Sequence, residues 1–241
     1  MNIKTHQILL GDIPVEVVRK NIKNLHLSVH PPDGKVRISA PTRMSLDTVR
    51  LFATTKLGWI KKHQAKLRDQ QREAPRDFVT RESHYYLGKR YLLNVIETSG
   101  RSTVVLKHDT IEMYVPKGAT RRKKSVVMQE WYRARLKEIV PKYFAKWEPL
   151  MNVNVAQFGI KRMKTKWGTC NRQARRIWIN LDLAKKPEEL IEYIVVHEMA
   201  HILERNHGAR FVALLDGFLP QWRSLKVELN RFPVSHVEWG Y

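Results

Sequence analysis

Apolar and polar positions alternate along the first forty residues. The stretches VEVVRK, LHLSVH and KVRISA each put every second side chain on one face, which is the period of a half-buried strand. Gly11-Asp12-Ile13-Pro14 and Pro31-Pro32-Asp33-Gly34 punctuate them as turns, and Pro41 closes the last. From Leu46 to about Gln71 the period lengthens. Val49, Leu51, Phe52, Leu57, Ile60 and Leu67 recur at helical spacing behind Ser45, a good N-cap. One long helix is expected over 46–71, with Trp59 and Ile60 against a sheet and Lys61, Lys62, Lys66 and Arg68 on a solvated face. Residues 72–80 read as a connection. HYYLGKRYLLNVIE and TVVLKHDTIEMYVP then read as hairpins, turning at Leu87-Gly88-Lys89 and at His108-Asp109. The two β-blocks, 6–40 and 83–116, are expected to pair into one antiparallel sheet crossed by the helix. No internal repeat stands out.

Helical spacing returns from about Ser125 to Leu150, through Val127, Trp131, Leu136, Ile139, Val140, Phe144 and Trp147, with Pro141 expected to kink the helix. VNVAQFGIKRMKTKWGTCN reads as a strand running into a loop, and RIWINLDL as a second strand. Pro187, with Glu188 and Glu189 behind it, suits a helix start. ARFVALLDGFL reads as a short helix, and Pro220 opens another through about Leu229. The fold class is α+β. Residues 1–116 form a β-rich region with one long helix, and 117–241 a helical domain with a small sheet.

Charge changes this picture. Lys and Arg number 44 against 23 Asp and Glu, a net charge of +21. Such an excess attracts polyanions, nucleic acid first and anionic membrane surface second, unless it serves solubility alone. Between Lys161 and Arg176 lie seven basic residues and no acidic one, so nucleic acid is expected to bind there if it binds at all. The lone Cys170 excludes an internal disulfide and suits a reducing compartment. No signal-like segment opens the chain, and no apolar run is long enough for a membrane span. A cytoplasmic location is expected.

The candidate chemistry sits in YIVVHEMAHILERNHGARF, 193–211. His197 and His201 are four apart, so a helix stacks them on one face. There they point two imidazoles at one ion, and Glu198, one step round, reaches water beside it without being a ligand. The flanking Ile191, Ile194, Val195, Val196, Met199, Ala200, Ile202 and Leu203 make the helix apolar almost all round. Buried histidines and a buried carboxylate are costly unless something satisfies them, and a metal does. The bland alternative is a chance match with hydrogen-bonded core histidines. His207, six residues after His201, is the favoured third ligand, with Asn206 or Gly208 in the left-handed conformation turning it back to the ion. Glu228, on a later helical pattern, is the competitor, as in His-His-Glu sites. Glu204 stands where a metzincin has glycine and no Met follows Met199, so the metzincin pattern is not met. His236 reads as a surface histidine.

KTKWGTC, WINLDLAKKPEELIEYIVVHEMAHILERNH and the F-x-x-L that follows resemble the YgjP-like metallopeptidase family, itself similar to SprT-like and WLM-type zinc proteases. Trp167 to Cys170, Asn180, Pro187, the HExxH motif and Asn206-His207 carry the resemblance over about 160–230. Thr169 departs from the family's WGSC. The resemblance implies a minimal zincin-like fold over the C-terminal domain. It also implies one zinc ion per chain on His197, His201 and His207, with zinc-activated water and Glu198 as general base, acting on a protein or peptide substrate. Trp167-Gly168 is expected to be a structural turn beside the cleft. Because SprT-like proteins act on DNA-bound proteins, a protease of DNA-associated proteins stays open. So do a zinc-stabilised nucleic-acid-binding protein and a zinc hydrolase of another substrate.

Overall fold

In the computed structural model, residues 5–30, 33–69, 76–163 and 166–231 are described. Pro31, Pro32, Lys164 and His236 lie outside them, as do the side chains of Lys66 and Arg68. The alternating stretches become strands. β1 (Thr5–Leu10), β2 (Ile13–Lys20), β3 (His26–His30) and β4 (Lys35–Pro41) pair in the order β1-β2-β4-β3. The inner pair, β2 and β4, is parallel, and the outer pairs are antiparallel. Val15, Val17, Val36, Ile38 and Ala40 point inward, while Glu16 and Arg37 pair across the other face at 2.8 Å.

The expected single helix over 46–71 is two: α1 (Leu46–Thr55) and α2 (Leu57–Asp69). Ser45 caps α1 by accepting from the Thr48 N–H at 3.1 Å. The break at Lys56 has a local cause. The hydroxyls of Thr54 and Thr55 bond back to Arg50 O and Phe52 O, which loosens the ladder, and Gly58 follows. Val49, Ala53 and Ile60 cover the sheet's inner face.

A second four-stranded sheet comes from β5 (Ser83–Tyr86), β6 (Lys89–Glu97), β7 (Thr103–Leu106) and β8 (Thr110–Val115). Its order, β5-β6-β8-β7, and its pair directions repeat those of the first. The expected single antiparallel sheet is therefore two mixed sheets, and an internal repeat is present after all. Its punctuation matches. Gly11 and Gly88 turn the first hairpin of each copy at φ of +62° and +79°. Pro41 and Pro116 each stand four residues before a helix N-cap, Ser45 and Thr120. The side chains between these marks differ, so the repeat lies in topology rather than in identity.

Among the described residues, 5–69 fall in one compact unit and 76–231 in a second. The division expected at 116/117 is thus displaced. The reason is packing: Leu93, Ile111, Met113 and Val115 of the second sheet share one core with the helices that follow. Chief among these is α3 (Arg121–Met151), which starts earlier than expected and continues through Pro141 and Pro149. Met128, Leu136, Val140 and Phe144 of α3 lie in that core. A third sheet, order β10-β11-β9, is built from β9 (Gln157–Lys161), β10 (Gly168–Asn171) and β11 (Arg176–Asn180). β10, which falls in the expected loop, is one of its two edges. After a short 3-10 helix (Leu181–Lys185) come α4 (Glu188–Leu203), α5 (Ala209–Phe218) and α6 (Trp222–Arg231). The fold is α+β.

Candidate metal centre

The entry to α4 is fixed from the second sheet. The N–H groups of Leu87 and Gly88 donate to Ala184 O and Lys185 O at 2.9 and 3.3 Å. A Cβ on Gly88 would stand 2.9 Å from Pro187 Cγ, so the hairpin turn lies flat on the residue before the helix. Glu188 and Glu189 occupy the first turn, where the helix dipole favours them. Glu188 accepts from Tyr143 Oη at 2.9 Å, and Glu192 from Lys146 and Trp147 at 2.6 and 2.8 Å, tying α4 to α3. Leu190, Ile191, Val195, Val196, Met199 and Ala200 are fully buried.

His197 and His201 leave this helix on one face. α4 stops at Leu203, and the chain reverses through an extended Glu204, φ −135° and ψ 124°. The expected left-handed Asn206 or Gly208 is not used: neither has positive φ. Instead the Glu204 N–H donates to Ala200 O at 2.9 Å, and the Glu204 carboxylate accepts from the Asn206 N–H at 3.2 Å. His207 is thereby carried back over the helix end. Its Nε2 lies 3.1 Å from His197 Nε2, and one ring nitrogen from each of His197, His201 and His207 falls within 4.8 Å of the others. Phe211, buried beneath, packs on all three rings at centroid distances of 5.0, 4.7 and 4.7 Å.

This donor set fits a metal. Two nitrogens bound to a tetrahedral ion at about 2.0–2.1 Å stand about 3.3 Å apart, close to the separation of the His197 and His207 nitrogens. His201 Nδ1 lies 3.1 Å from Glu204 O, a bond that fixes the ring and turns Nε2 outward. His197 Nδ1 is buried without a partner among the described residues, so packing on Tyr193 and Phe211 orients that ring. Burial, and then the neighbouring His201 and His207, lower His197 to about 3. Burial also lowers His201. Both are neutral imidazoles at pH 7, the ligating form.

Glu198 is 5% exposed, and burial pushes its carboxyl up to about 8 against the opposing charge of Lys166. It lies on β10. A Cβ on Gly168 would come within 2.6 Å of both Glu198 Cγ and Oε1. Trp167 is a bend, as expected beside the cleft, and Gly168 opens the strand against which the carboxylate packs. β10 is anchored at both ends. The Asn180 amide donates to Met163 O and Lys166 O at 2.9 and 2.7 Å, and Arg172 donates to Ile202 O and Leu203 O at 2.8 and 3.2 Å. Cys170, beside Glu198, is raised to about 11 by burial and that carboxylate, so it stays a thiol.

The three histidines and Glu198 open onto a cleft of about 1290 Å³, lined also by β10, Tyr193, Arg205 and Lys226. Glu228 is exposed and does not line the cleft, although its neighbours Lys226, Leu229 and Asn230 do. The basic stretch 161–176 is divided. Lys161 stacks on Trp178, Arg162 faces Asp182 at 3.9 Å, and Lys166, Arg172 and Arg175 line the cleft. Phe211, Gly168 and Arg172 escape sequence reasoning, since an apolar, a small and a basic residue announce no chemistry. The resemblance touched Gly168 through WGTC and Phe211 through F-x-x-L, without giving either its place against Glu198 or the imidazoles.

The family model for the YgjP-like metallopeptidase domain matches residues 23–232. The chain belongs to the YgjP-like metallopeptidase family. The YgjP-like match runs through both compact units and includes every residue of the site. Among solved structures, the metallopeptidase zymogen of Pyrococcus abyssi abylysin is similar at 16% identity and a TM-score of 0.35, over 37% of this chain and 90% of that one. The zymogen of Methanocaldococcus jannaschii jannalysin is similar at 24% identity and 0.33, over 39% and 92%. No curated protein matches the chain. No described helix is long and apolar enough to cross a membrane.

Proposed function

We propose that this YgjP-like protein is a zinc peptidase in which His197, His201 and His207 hold one ion and Glu198 is the general base. The observation that carries this reading is the convergence of three imidazole nitrogens within 4.8 Å on the cleft that Glu198 also lines. Three imidazoles are a donor set of catalytic zinc, which keeps a further position for water or substrate. A bound ion would supply Lewis acidity towards a carbonyl and towards water.

The chain's own residues do the rest. Glu198 is the proton carrier. A cation beside it favours its ionised form, which takes a proton from the attacking water at a carboxylate oxygen and returns it to the departing amine. Gly168 gives that carboxylate its place against β10. Tyr193, kept protonated by burial with its phenol raised to about 12, lines the cleft as a donor to a developing oxyanion. Asn206 does not line it. A non-catalytic, zinc-stabilised nucleic-acid binder would give the buried Glu198 no task.

Elemental analysis of the purified protein tests the metal. One zinc per chain is expected, lost in His197→Ala and His201→Ala. His207→Ala is expected to weaken zinc sharply while Glu228→Ala leaves it unchanged. The opposite pattern would move the third ligand to α6, and full occupancy in His197→Ala would remove the site.

A further inference from the structure

Among the described residues, five cations line the cleft, Lys166, Arg172, Arg175, Arg205 and Lys226, and one carboxylate, the buried Glu198. Arg172 is occupied in capping α4. The other four are exposed, and among the described residues none has a carboxylate partner. They reach the cleft from different parts of the chain. Lys166 precedes β10, Arg175 sits in the turn after it, Arg205 follows α4, and Lys226 stands on α6. A merely solvated basic face would place its charges along one element. Here separate segments deliver one sign of charge to one concavity, an arrangement that focuses the field there. Lys166 and Lys226 lie close enough to act on Glu198 and His197 respectively.

We infer that the cleft selects acidic polypeptide segments, with Lys166, Arg175, Arg205 and Lys226 reading Asp and Glu side chains on either side of the bond to be cut. This inference rests on the peptidase reading for the cut itself. A polypeptide fits better than a nucleic acid, because the cations come from four separate segments and share one concavity with the ion-binding histidines rather than following one element. The same field repels this chain's own basic stretches, such as 117–124 with five cations and no acid, and so disfavours self-cleavage.

The test uses three fluorescent peptides that differ only at four flanking positions, carrying Glu, Gln or Lys. Binding is read by anisotropy on the zinc-loaded full chain bearing Glu198→Gln, and cleavage as kcat/KM on the zinc-loaded wild type. The Glu peptide is expected to bind about tenfold tighter than the Gln peptide, from four exposed pairs of a few tenths of a kcal/mol each. The Lys peptide is expected to bind weakest, and the differences to shrink with added salt. In the Arg175→Ser/Lys226→Ser double variant the Glu-over-Gln advantage should fall to about threefold or less. Equal binding of the Glu and Gln peptides, or an undiminished advantage in the double variant, overturns the inference. Cleavage without charge preference overturns it while leaving the peptidase reading intact. Preferential binding of the Glu peptide with no cleavage by wild type does the reverse. A single-stranded oligonucleotide and inorganic polyphosphate complete the set. If either displaces the Glu peptide and loses more affinity than it does in the double variant, the cleft takes phosphate polymers and the inference is wrong.

Discussion

Gly168 shows how little of the proposed catalytic geometry is carried by the residues that announce it. That His197 and His201 share one face of a helix is legible from their spacing of four, and Glu198 stands out as a carboxylate in an apolar run. The place of the Glu198 carboxylate depends on a side chain that is absent. A methyl group on Gly168 would fall 2.6 Å from Glu198 Cγ and Oε1, well inside van der Waals contact, so the carboxylate must move. Gly168→Ala is expected to keep one zinc per chain and to lower kcat by about 10²-fold, the low end of what a positioned base contributes. Gly168→Ala with wild-type kcat would show that Glu198 works from some other position. Phe211 is a comparable case. Its helix was read correctly, but its role as the floor under three imidazoles follows from the reversal at Glu204, which local sequence did not reveal.

The reversal belongs to the scale of elements. α4 must end within a turn of His201 for His207 to return, and it does so, at Leu203, without the left-handed residue that Asn206 and Gly208 seemed to offer. The last carbonyls of a helix lack partners, and here Arg172 of the β10–β11 turn supplies donors to Ile202 and Leu203. That explains why a basic residue in a basic stretch is spent internally. Arg172→Ala is expected to lower stability by about 1 kcal/mol, an exposed charged donor being worth less than a buried one. Arg172→Lys should recover only part, because one ammonium does not span two carbonyls as a guanidinium does. Denaturant melts with unchanged slope would measure this, and a loss below about 0.3 kcal/mol would remove the capping role. The strands with clean alternation were legible. β10 was not, because Gly168-Thr169-Cys170-Asn171 is short and lacks alternation. The break between α1 and α2 was hidden for a different reason, since apolar spacing continues across it while two threonine hydroxyls compete for the backbone.

At the scale of the whole molecule, α+β was legible from the change of period, but the division of the chain was not. A hairpin block can be counted with the strands before it or with the helices after it, and only shared burial decides. Leu93, Ile111 and Met113 decide for the helices. The repeated sheet topology was hidden because it is conserved in turns and caps rather than in side chains. The second unit also sets an acid limit. His84 is buried, and burial with the charges of Arg76 and Lys185 lowers it to about 3, while the unfolded chain takes up its proton near 6.5. The folded state therefore binds fewer protons in that window. The contribution of His84 to stability is present above pH 6.5 and is lost as pH falls towards 3. His197, also lowered to about 3, acts in the same direction. His84→Gln should flatten the acid limb of the metal-free protein by on the order of 2–4 kcal/mol between those limits. An unchanged limb in urea melts from pH 7 to 4 would show that His84 titrates normally in the folded state.

The most direct test of the peptidase reading is Glu198→Gln, with zinc content and peptide cleavage measured on one preparation. Gln is nearly isosteric and keeps a hydrogen-bonding group against Gly168, yet it cannot accept a proton. Burial already holds Glu198 at about 8 in the metal-free protein, so a neutral side chain there costs little stability. One zinc per chain and a wild-type melting temperature are expected, with cleavage reduced by about 10²–10⁴-fold. Cleavage at the wild-type rate would contradict the account.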